Sequence, residues 1–316
     1  MKVKKFVLYA TSAFIALNCG SCSVIKSQAN DIQSEIRSYI EDFTDDDFLV
    51  TAHRGFSSLE VENTKEAISL ASTKDYIDYI EVDARMTKDH KIILSHNNVL
   101  MASFLQTFDI SNMTYEEVMN QYYVYNPFPF RGYQNFQSDN SLVIDRNRHL
   151  LLKRYHLVGL QEGLDACGDK KVLLDLKFRE DIPLFVEELK SELDGYDTSN
   201  ITFQSLDLDG ISYLQKNSDF DCLALINTRK GLDRIDEFSK VGIKYTLLTS
   251  DLVEKIFQEG KELAIWTINS RETLDSILPI LGEHYKDVIY ITDYPDLISM
   301  RLNEVDSSKK FQKVLK

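Results

Sequence analysis

The sequence predicts an α/β protein, a (β/α)8 TIM barrel with an insertion after its second strand and hairpin. From Phe48 onward, short β-rich runs alternate with helix-like segments, and that alternation is typical of a parallel sheet covered by helices. A chain of 316 residues with 43% hydrophobic residues is long enough to form one such barrel. We therefore expect the barrel to occupy residues 47–302.

Nine runs have the composition of strands, one more than the barrel needs. In chain order they are FLVTAH, YIEVDAR, KIILSH, VLLDLK, ITFQS, CLALIN, YTLLT, LAIWTIN and VIYITD. Only the segment MTKDHK separates the second run from the third, which is too short for a helix. KIILSH is therefore predicted to be the hairpin partner of the second strand, and eight barrel strands remain.

Helix-like segments lie between most of these runs, as a parallel sheet requires. They are ENTKEAISLAS, DIPLFVEELKSEL, DGISYLQKN, GLDRIDEFSK, DLVEKIFQEG and RETLDSILPIL.

The alternation stops in an insertion at about residues 98–157. It contains the helix-like TYEEVMNQ and then YYVYNPFPFRGYQNFQSDN, which is rich in aromatic and turn residues and has no sheet pattern of its own. Such a segment either packs on the barrel rim as a decoration or contacts substrate directly. Residues 303–316 have the composition of a solvated tail.

Residues 1–22 resemble an export signal. Three lysines in the first five residues precede an apolar stretch from Phe6 to Leu17, which is shorter than the roughly 20 residues of a membrane span. An uncleaved anchor helix is the alternative. The layout is also similar to a bacterial lipoprotein signal, with Cys19 or Cys22 as the lipidated residue. We expect an exported protein that is extracellular, on the cell surface or periplasmic, with a membrane tether if the cysteine carries lipid.

Residues 23–46 are predicted to be a polar linker with one short helix, because Ile32, Ile36 and Ile40 follow a helical period. In the barrel, Cys167 lies near a helix end and Cys222 in a strand pattern, so we expect two separate thiols.

The formal net charge of -14 and the pI of about 4.9 argue against nucleic acid as a partner, since a nucleic-acid surface needs a basic patch. Any phosphate group must be held by a few local cations.

Polar residues collect where the predicted strands end, and in a barrel these ends meet at one rim. They are His53, Arg54, Glu81, Asp83, His96, Asp175, Lys177, Gln204, Ser205, Trp266, Asn269, Thr292 and Asp293.

Three carboxylates among them predict a metal site. Glu81 and Asp83 are two residues apart on one strand, so both side chains point to the same face. Neighbouring carboxylates repel unless a cation or a proton intervenes. With Asp175 as a third ligand, a hard divalent cation such as Ca²⁺ or Mg²⁺ fits. The alternative is a salt-bridge cluster with Arg54, Arg85 and Lys177.

Such a site suits displacement at a phosphodiester. Arg54 and Lys177 would offset the charge of the phosphate, while His53 and His96 would remove one proton and supply another. We also expect Trp266 to contact the substrate.

The motifs that carry these residues match one known family in order. They are His53-Arg54-Gly55, Glu62-Asn63-Thr64, Ile80-Glu81-Val82-Asp83, Thr87-Lys88-Asp89, His96, Leu174-Asp175-Leu176-Lys177, Gln204-Ser205, Trp266-Thr267-Ile268-Asn269 and Thr292-Asp293-Tyr294-Pro295. The chain resembles the glycerophosphodiester phosphodiesterases, a branch of the phosphatidylinositol-specific phospholipase C-like TIM barrels.

The resemblance implies metal-dependent hydrolysis of glycerophosphodiesters to glycerol phosphate and an alcohol. It implies that His53 and His96 are the general acid and base, and that Arg54 and Lys177 hold the phosphate. It also implies that calcium or magnesium binds to a carboxylate set consisting of Glu81, Asp83 and Asp175. Glu62 is a possible further ligand, because its turn brings it back toward the rim.

Four positions depart from the family pattern. Asp175 stands where Glu is usual, Asn97 replaces the aspartate after His96, Val61 replaces a proline, and Leu206 replaces a phenylalanine.

Two alternatives remain open at this stage. The substrate could be a lysophospholipid or a teichoic-acid polymer, cleaved by a phosphodiesterase or phospholipase D-like reaction and admitted by the aromatic insertion. The barrel could also be a catalytically inactive surface binding protein. In the enzyme hypotheses the partner is a small-molecule or lipid-derived phosphodiester.

Overall fold

Eight parallel strands close into a barrel in the computed structural model, which describes residues 48–103, 106–124, 154–179 and 181–314. The described strands are β1 (Leu49–Ala52), β2 (Tyr79–Met86), β3 (Ile92–Leu94), β4 (Val99–Ser103), β5 (Gln106–Asp109), β6 (Tyr123–Val124), β7 (Arg154–Tyr155), β8 (Val158–Gly159), β9 (Lys171–Leu176), β10 (Ile201–Ser205), β11 (Asp221–Ile226), β12 (Lys240–Lys244), β13 (Glu262–Trp266) and β14 (Val288–Thr292). Strands β1, β2 and β9 to β14 pair in parallel in that order, and β14 pairs with β1. The predicted (β/α)8 barrel is confirmed.

Helices cover the outside of the barrel. The described helices are α1 (Lys65–Ser72), α2 (Tyr115–Met119), α3 (Leu160–Ala166), α4 (Ile182–Glu192), α5 (Leu208–Asn217), α6 (Arg229–Leu232), α7 (Ser250–Gln258), α8 (Arg271–Leu281) and α9 (Pro295–Val314). Many begin at a residue whose side chain accepts a hydrogen bond from the first turn, which satisfies a backbone N–H that has no partner within the helix. Examples are Thr64, Asp181, Asp207, Thr249 and Ser270.

The hairpin after the second strand forms as predicted. Strand β3 pairs antiparallel with the end of β2, and β8 pairs antiparallel with β3, so the sheet continues outward at this one point of the barrel. The extension carries His96 at the end of β3 toward the rim.

The sixth barrel strand lies earlier than the sequence predicts. The run YTLLT was predicted to be this strand, but Tyr245–Leu247 forms a 3-10 helix and β12 precedes it. Gly242 explains the error, because a Cβ at this position would lie 2.5 Å from the side chain of Leu225. A strand that must carry glycine on its inner face loses the hydrophobic alternation by which strands are recognised.

The C-terminal segment, predicted to be a tail, continues as a helix as far as Val314. Helix α9 runs from Pro295 to Val314, across the predicted domain boundary at residue 302. Asp306 is buried, accepts a hydrogen bond of 2.7 Å from Tyr285 and lies 3.1 Å from the ammonium group of Lys286. These contacts attach the segment to the barrel, which a composition-based prediction cannot anticipate.

The insertion contains ordered sheet structure that its sequence does not predict. Strands β4 and β5 form a hairpin, and β6 pairs antiparallel with β7. Helix α2 confirms the predicted helical segment and starts with a capping box formed by Thr114 and Glu117. A small hydrophobic core joins the insertion to the barrel; its buried members are Val61, Ile93, Ile110, Val118, Tyr123, Tyr155 and Leu157.

Several predictions fall outside the described residues, namely the signal at residues 1–22, the linker at 23–46 and the aromatic centre of the insertion at 125–153. Among the helices of the described segments, none is both long and apolar enough to cross a membrane. Cys167 and Cys222 are buried free thiols, which confirms that they do not form a disulfide with each other.

The barrel interior is apolar below the rim. Its cluster consists of Tyr79, Leu173, Leu223, Leu225, Ala264, Ile289 and Ile291, with Leu49 and Trp266 packed against it. The inward-facing side chains then change from apolar to acidic, from Tyr79 to Glu81 on β2 and from Leu173 to Asp175 on β9. The apolar floor thus places the polar side chains at the carboxyl ends of the strands.

Candidate active site

Three buried carboxylates lie together at the rim. Asp83 on β2 is the register partner of Asp175 on β9, so the two inward-facing side chains lie side by side, with Glu81 two residues earlier on β2. One carboxylate oxygen from each lies within 4.8 Å of the others. Their exposed fractions are 1%, 1% and 6% for Glu81, Asp83 and Asp175. The three predicted metal ligands are therefore brought together.

Two cations stand against this group. Lys177 Nζ lies 2.7 Å from Asp83 Oδ1 and 2.5 Å from Asp175 Oδ2, and Arg54 Nε lies 3.4 Å from Asp83 Oδ2. The salt-bridge alternative is thus partly realised. Arg85 does not take part, because its guanidinium donates to the backbone carbonyl of His96, with Nε at 2.9 Å.

Burial and charge set the carboxylates apart electrostatically. Burial opposes ionisation of Asp83, but Lys177 and Arg54 outweigh it and hold the pKa of Asp83 far below its usual range. Burial and the charge of Asp83 raise the pKa of Glu81 above its usual value. Burial likewise raises the pKa of Asp175, against the opposing effect of Lys177. Glu81 and Asp175 are therefore harder to ionise than ordinary carboxylates, and a further positive charge beside them would offset this effect.

The residues present fit a hard divalent cation. The ligand atoms are all carboxylate oxygens, which calcium and magnesium prefer. Asp175 Oδ1 is buried and accepts no hydrogen bond within the described part of the chain, and a buried oxygen without a partner is costly. Oε1 of Gln204, the register neighbour of Asp175 on β10, is likewise buried and accepts no hydrogen bond from the described residues. A cation bound by the three carboxylates would give at least Asp175 Oδ1 a partner.

Glu62, the possible further ligand, lies against Arg54. Its carboxylate accepts a hydrogen bond of 2.7 Å from an Arg54 Nη atom, and it is not one of the three carboxylates that approach one another. The role of Glu62 as a further ligand stays a prediction.

The turn that carries Arg54 is strained and closely packed. Arg54 and Asn63 have φ values of 59° and 57°, in the left-handed region that non-glycine residues rarely adopt. Hydrogen bonds to the carboxylates hold both residues: the Arg54 backbone N–H donates to Glu81 at 2.8 Å, and the Asn63 amide donates to Asp83 at 2.8 Å. The strained turn thus supplies hydrogen-bond donors to two of the three carboxylates.

Gly55 lets this turn pack on the first helix. Its φ is 76°, and a Cβ there would lie 2.7 Å from the backbone carbon of Ala67. No other residue fits this position without displacing α1.

His53 is held by an aspartate whose role the sequence did not reveal. His53 Nδ1 lies 2.6 Å from Asp293 Oδ1, and Nε2 lies 3.8 Å from Glu81. Asp293 also accepts hydrogen bonds from Ser57 at 3.2 Å and from the Asn269 amide. Burial and Arg54 lower the pKa of His53, but Asp293 and Glu81 outweigh them and raise it above its usual value. The position of Asp293 after the last barrel strand was the available signal.

His96 has the opposite electrostatic environment. It is half-buried beyond β3, and its Nδ1 lies 3.1 Å from the side-chain oxygen of Asn97. Burial lowers the pKa of His96; Asp83 opposes this, while Arg54 and Lys177 add to it. Two imidazoles, one favoured in its charged form and one in its neutral form, therefore face the same group of charges.

Trp266 lies at the end of β13, where its indole nitrogen donates to the carbonyl of Gly242 at 3.0 Å. Its ring packs against the apolar interior cluster of the barrel. Its contact with substrate stays a prediction.

Known proteins are similar to this chain in sequence or in fold. YhdW of Bacillus subtilis, provisionally named a glycerophosphodiester phosphodiesterase, is 27% identical over 261 residues, which cover 79% of this chain and 96% of that protein. A crystal structure from Silicibacter pomeroyi, provisionally named a glycerophosphoryl diester phosphodiesterase, has a TM-score of 0.68 at 19% identity and covers 82% of this chain and 94% of its own.

An Oleispira antarctica phosphodiesterase, solved in complex with the product sn-glycerol-3-phosphate, has a TM-score of 0.63 at 16% identity. It covers 81% of this chain and 96% of its own. The sequence model of the glycerophosphoryl diester phosphodiesterase family matches residues 53–297, which include every side chain of the site described above. The chain belongs to the glycerophosphoryl diester phosphodiesterase family.

Proposed function

We propose that this protein is a metal-dependent hydrolase of glycerophosphodiesters, which it converts to glycerol phosphate and an alcohol. The observation that carries the proposal is the arrangement of His53 and His96 around the group formed by Arg54, Lys177 and the three carboxylates. Family membership supports the same reaction.

Arg54 and Lys177 bind the scissile phosphate in this mechanism. Both are charged and largely desolvated, which strengthens their attraction for an anion. Glu62 orients Arg54 through its 2.7 Å hydrogen bond, so the guanidinium is positioned before the substrate arrives.

His53 and His96 move the protons. The glycerol hydroxyl next to the phosphate attacks phosphorus, and one imidazole accepts the hydroxyl proton as the new P–O bond forms. The bond from phosphorus to the leaving oxygen breaks, and the other imidazole protonates that oxygen. Water then opens the cyclic phosphate with the two roles reversed. Asp293 keeps the Nδ1 proton of His53 in place, which leaves Nε2 toward the substrate.

Glu81, Asp83 and Asp175 would hold Ca²⁺ or Mg²⁺. When bound, the ion supplies positive charge that stabilises the developing charge on the phosphate oxygens. Asp175 in place of glutamate shortens one ligand, and Lys177 at 2.5 Å shares its carboxylate.

Two substitutions and a chelator test the proposal. We expect His53→Ala and Glu81→Ala to abolish release of glycerol phosphate from glycerophosphocholine, measured by coupling to glycerol-phosphate dehydrogenase. Chelation should do the same, and added Ca²⁺ or Mg²⁺ should restore the activity. His284→Ala, on the outer surface against Phe257, is the matched control and should stay active. Full activity in chelator would disprove the metal requirement.

A larger substrate, a lysophospholipid or a glycerol-phosphate polymer, is the second candidate. The insertion supports it, because Tyr123 and Tyr155 pack in one core with Val61, directly before Glu62. Val124 and Arg154 are paired across β6 and β7, so a short Gly-Ser loop can replace residues 125–153. We expect this replacement to lower activity on the larger substrate selectively. Equal losses on both substrates would count against this candidate.

Export and lipid attachment are a separate part of the proposal. They rest on the apolar stretch and the cysteines near the N-terminus. Membrane fractionation of wild type and of the Cys19→Ser and Cys22→Ser variants tests them. One variant should move to the soluble fraction, and unchanged fractionation of both would refute lipid attachment.

A further inference from the structure

A cavity of about 300 Å³ lies beside the three carboxylates. Four cationic side chains line it, those of Arg85, Lys88, Lys177 and Arg179. The acidic Asp181 and the neutral Ser111 also line it. These cations form a local region of positive charge in a protein whose formal net charge is -14.

The cavity adjoins the three carboxylates of the candidate active site. Arg85 follows Asp83 by two residues on β2, and Lys177 and Arg179 follow Asp175 by two and four residues. Strands β2 and β9 stay paired up to Ala84 and Leu176, so the chain leaves the barrel along two neighbouring paths. Lys177 lines the cavity and also touches Asp83 and Asp175, which makes it the link between the two sites.

The cations of the cavity keep unused capacity for an anion. Within the described residues, Arg85 gives its side-chain hydrogen bonds to a neutral carbonyl, that of His96. The exposed Arg179 makes no hydrogen bond or ion pair within the described residues, and the same holds for the Lys88 side chain.

The nearby acids are only partly available to these cations. Asp181 accepts a hydrogen bond of 3.0 Å from the Leu184 backbone as the cap of α4. Asp109 accepts from Ser111 and Asn98, although Arg179 is near enough to lower its pKa. An anion with several acceptor oxygens would therefore find donors on Arg179 and Lys88 that make no ion pair with an acid among the described residues.

We propose that this cavity binds a second phosphate group of the substrate, adjacent to the scissile phosphodiester. The inference rests on the proposed function and specifies its substrate class. If the scissile phosphate binds Lys177, a substituent that extends on the side of His96 would approach Arg85, whose guanidinium donates to the His96 carbonyl. Arg179 and Lys88 complete the second subsite.

The second phosphate could be a monoester on a small headgroup or the next diester of a polymer. Three substrates distinguish these sources: glycerophosphoglycerol, the same compound with a terminal phosphomonoester, and a glycerol-phosphate oligomer with two diesters. We expect wild-type kcat/KM to be higher for one or both of the last two, by on the order of tenfold, which is the size of one charge-assisted hydrogen bond. The ratio should fall with rising salt.

Arg179→Gln and Lys88→Gln test the subsite. Each should bring the ratio of kcat/KM between the two-phosphate and one-phosphate substrates toward one, while Arg179→Lys should retain part of it. Lys216→Gln, an exposed charge at the end of α5, is the matched control and should leave the ratio unchanged. Thermal melting of each variant verifies folding.

The outcomes separate the two proposals. A wild-type ratio near one, or a ratio that Arg179→Gln and Lys88→Gln leave intact, overturns the second subsite while hydrolysis of glycerophosphoglycerol still supports the proposed function. If the protein hydrolyses neither these three substrates nor glycerophosphocholine, both proposals are overturned.

Discussion

Asp293→Asn tests how the protein controls His53. The Asp293 carboxylate lies 2.6 Å from Nδ1 of the imidazole and accepts from Ser57 and Asn269 as well. The amide of Asn269 must meet an acceptor, so an asparagine at position 293 would turn its oxygen toward Asn269 and its NH₂ toward His53. His53 Nδ1 would then have to accept a hydrogen bond, which holds the ring in its neutral form.

The magnitude follows from the contact that is lost. A short hydrogen bond between charged groups contributes about 1.5–3 kcal/mol, and each 1.4 kcal/mol is a factor of about ten in rate. We therefore expect kcat/KM to fall by roughly 10- to 150-fold from this contact alone. Suppression of the charged imidazole adds to that loss.

The pH profile supplies the second readout. Asp293 raises the pKa of His53, so its neutralisation lowers that pKa. The limb of the kcat/KM profile that belongs to His53 should then move to lower pH, whether the residue acts as acid or as base.

The assay is glycerol phosphate release from glycerophosphocholine between pH 5 and 9, with Asp219→Asn as control. Asp219 is exposed and precedes β11, at the end of the barrel opposite the site. A rate within about twofold of wild type and an unmoved limb would refute the role of Asp293.

Three further predictions address the metal site, the loop and the thiols. Binding of Ca²⁺ or Mg²⁺ at pH 7 should release protons, because burial and Asp83 raise the pKa of Glu81 above its usual value. Titration calorimetry in two buffers measures this release; Glu81→Gln should reduce it, and a heat independent of the buffer would contradict it. Val61→Ala should destabilise the protein by about 2 kcal/mol and lower Tm by roughly 5 °C, since Val61 is 1% exposed. Val99→Ala, at a position 52% exposed, should not change Tm, and equal melting of all three proteins would contradict the packing. Cys167 and Cys222, with pKa values raised by burial to about 12, should react with Ellman's reagent at pH 8 only after unfolding, tested in a Cys19→Ser/Cys22→Ser background. Rapid reaction of the native protein would contradict their burial.

Much of the barrel was predictable because its signals are local. The strand that carries Glu81 and Asp83 has apolar residues before and between its carboxylates, and the last barrel strand is a continuous apolar run. Strand β12 was misplaced because Gly242 on its inner face removes the apolar residue that would mark it. The end of α9 was missed because its support comes from Tyr285 and Lys286, contacts distant in sequence.

The candidate site was predictable as a set of residues but not as a set of contacts. Strand alternation places Asp83 and Asp175 inward, and the structure confirms that they are adjacent. The partner of His53 lies 240 residues away, so no local pattern indicates it. Val61 stands where the family has proline, and its physical role is to join the loop that precedes Glu62 to the insertion core.

The most direct test of the proposed function is phosphorus NMR of the purified protein with glycerophosphocholine, in chelator and then with Ca²⁺ or Mg²⁺. The mechanism predicts a glycerol phosphate resonance only after the metal is added, and none at any stage for His53→Ala. A wild-type protein that leaves the diester intact with both metals, or cleaves it equally well in chelator, would contradict the proposed metal-dependent hydrolysis.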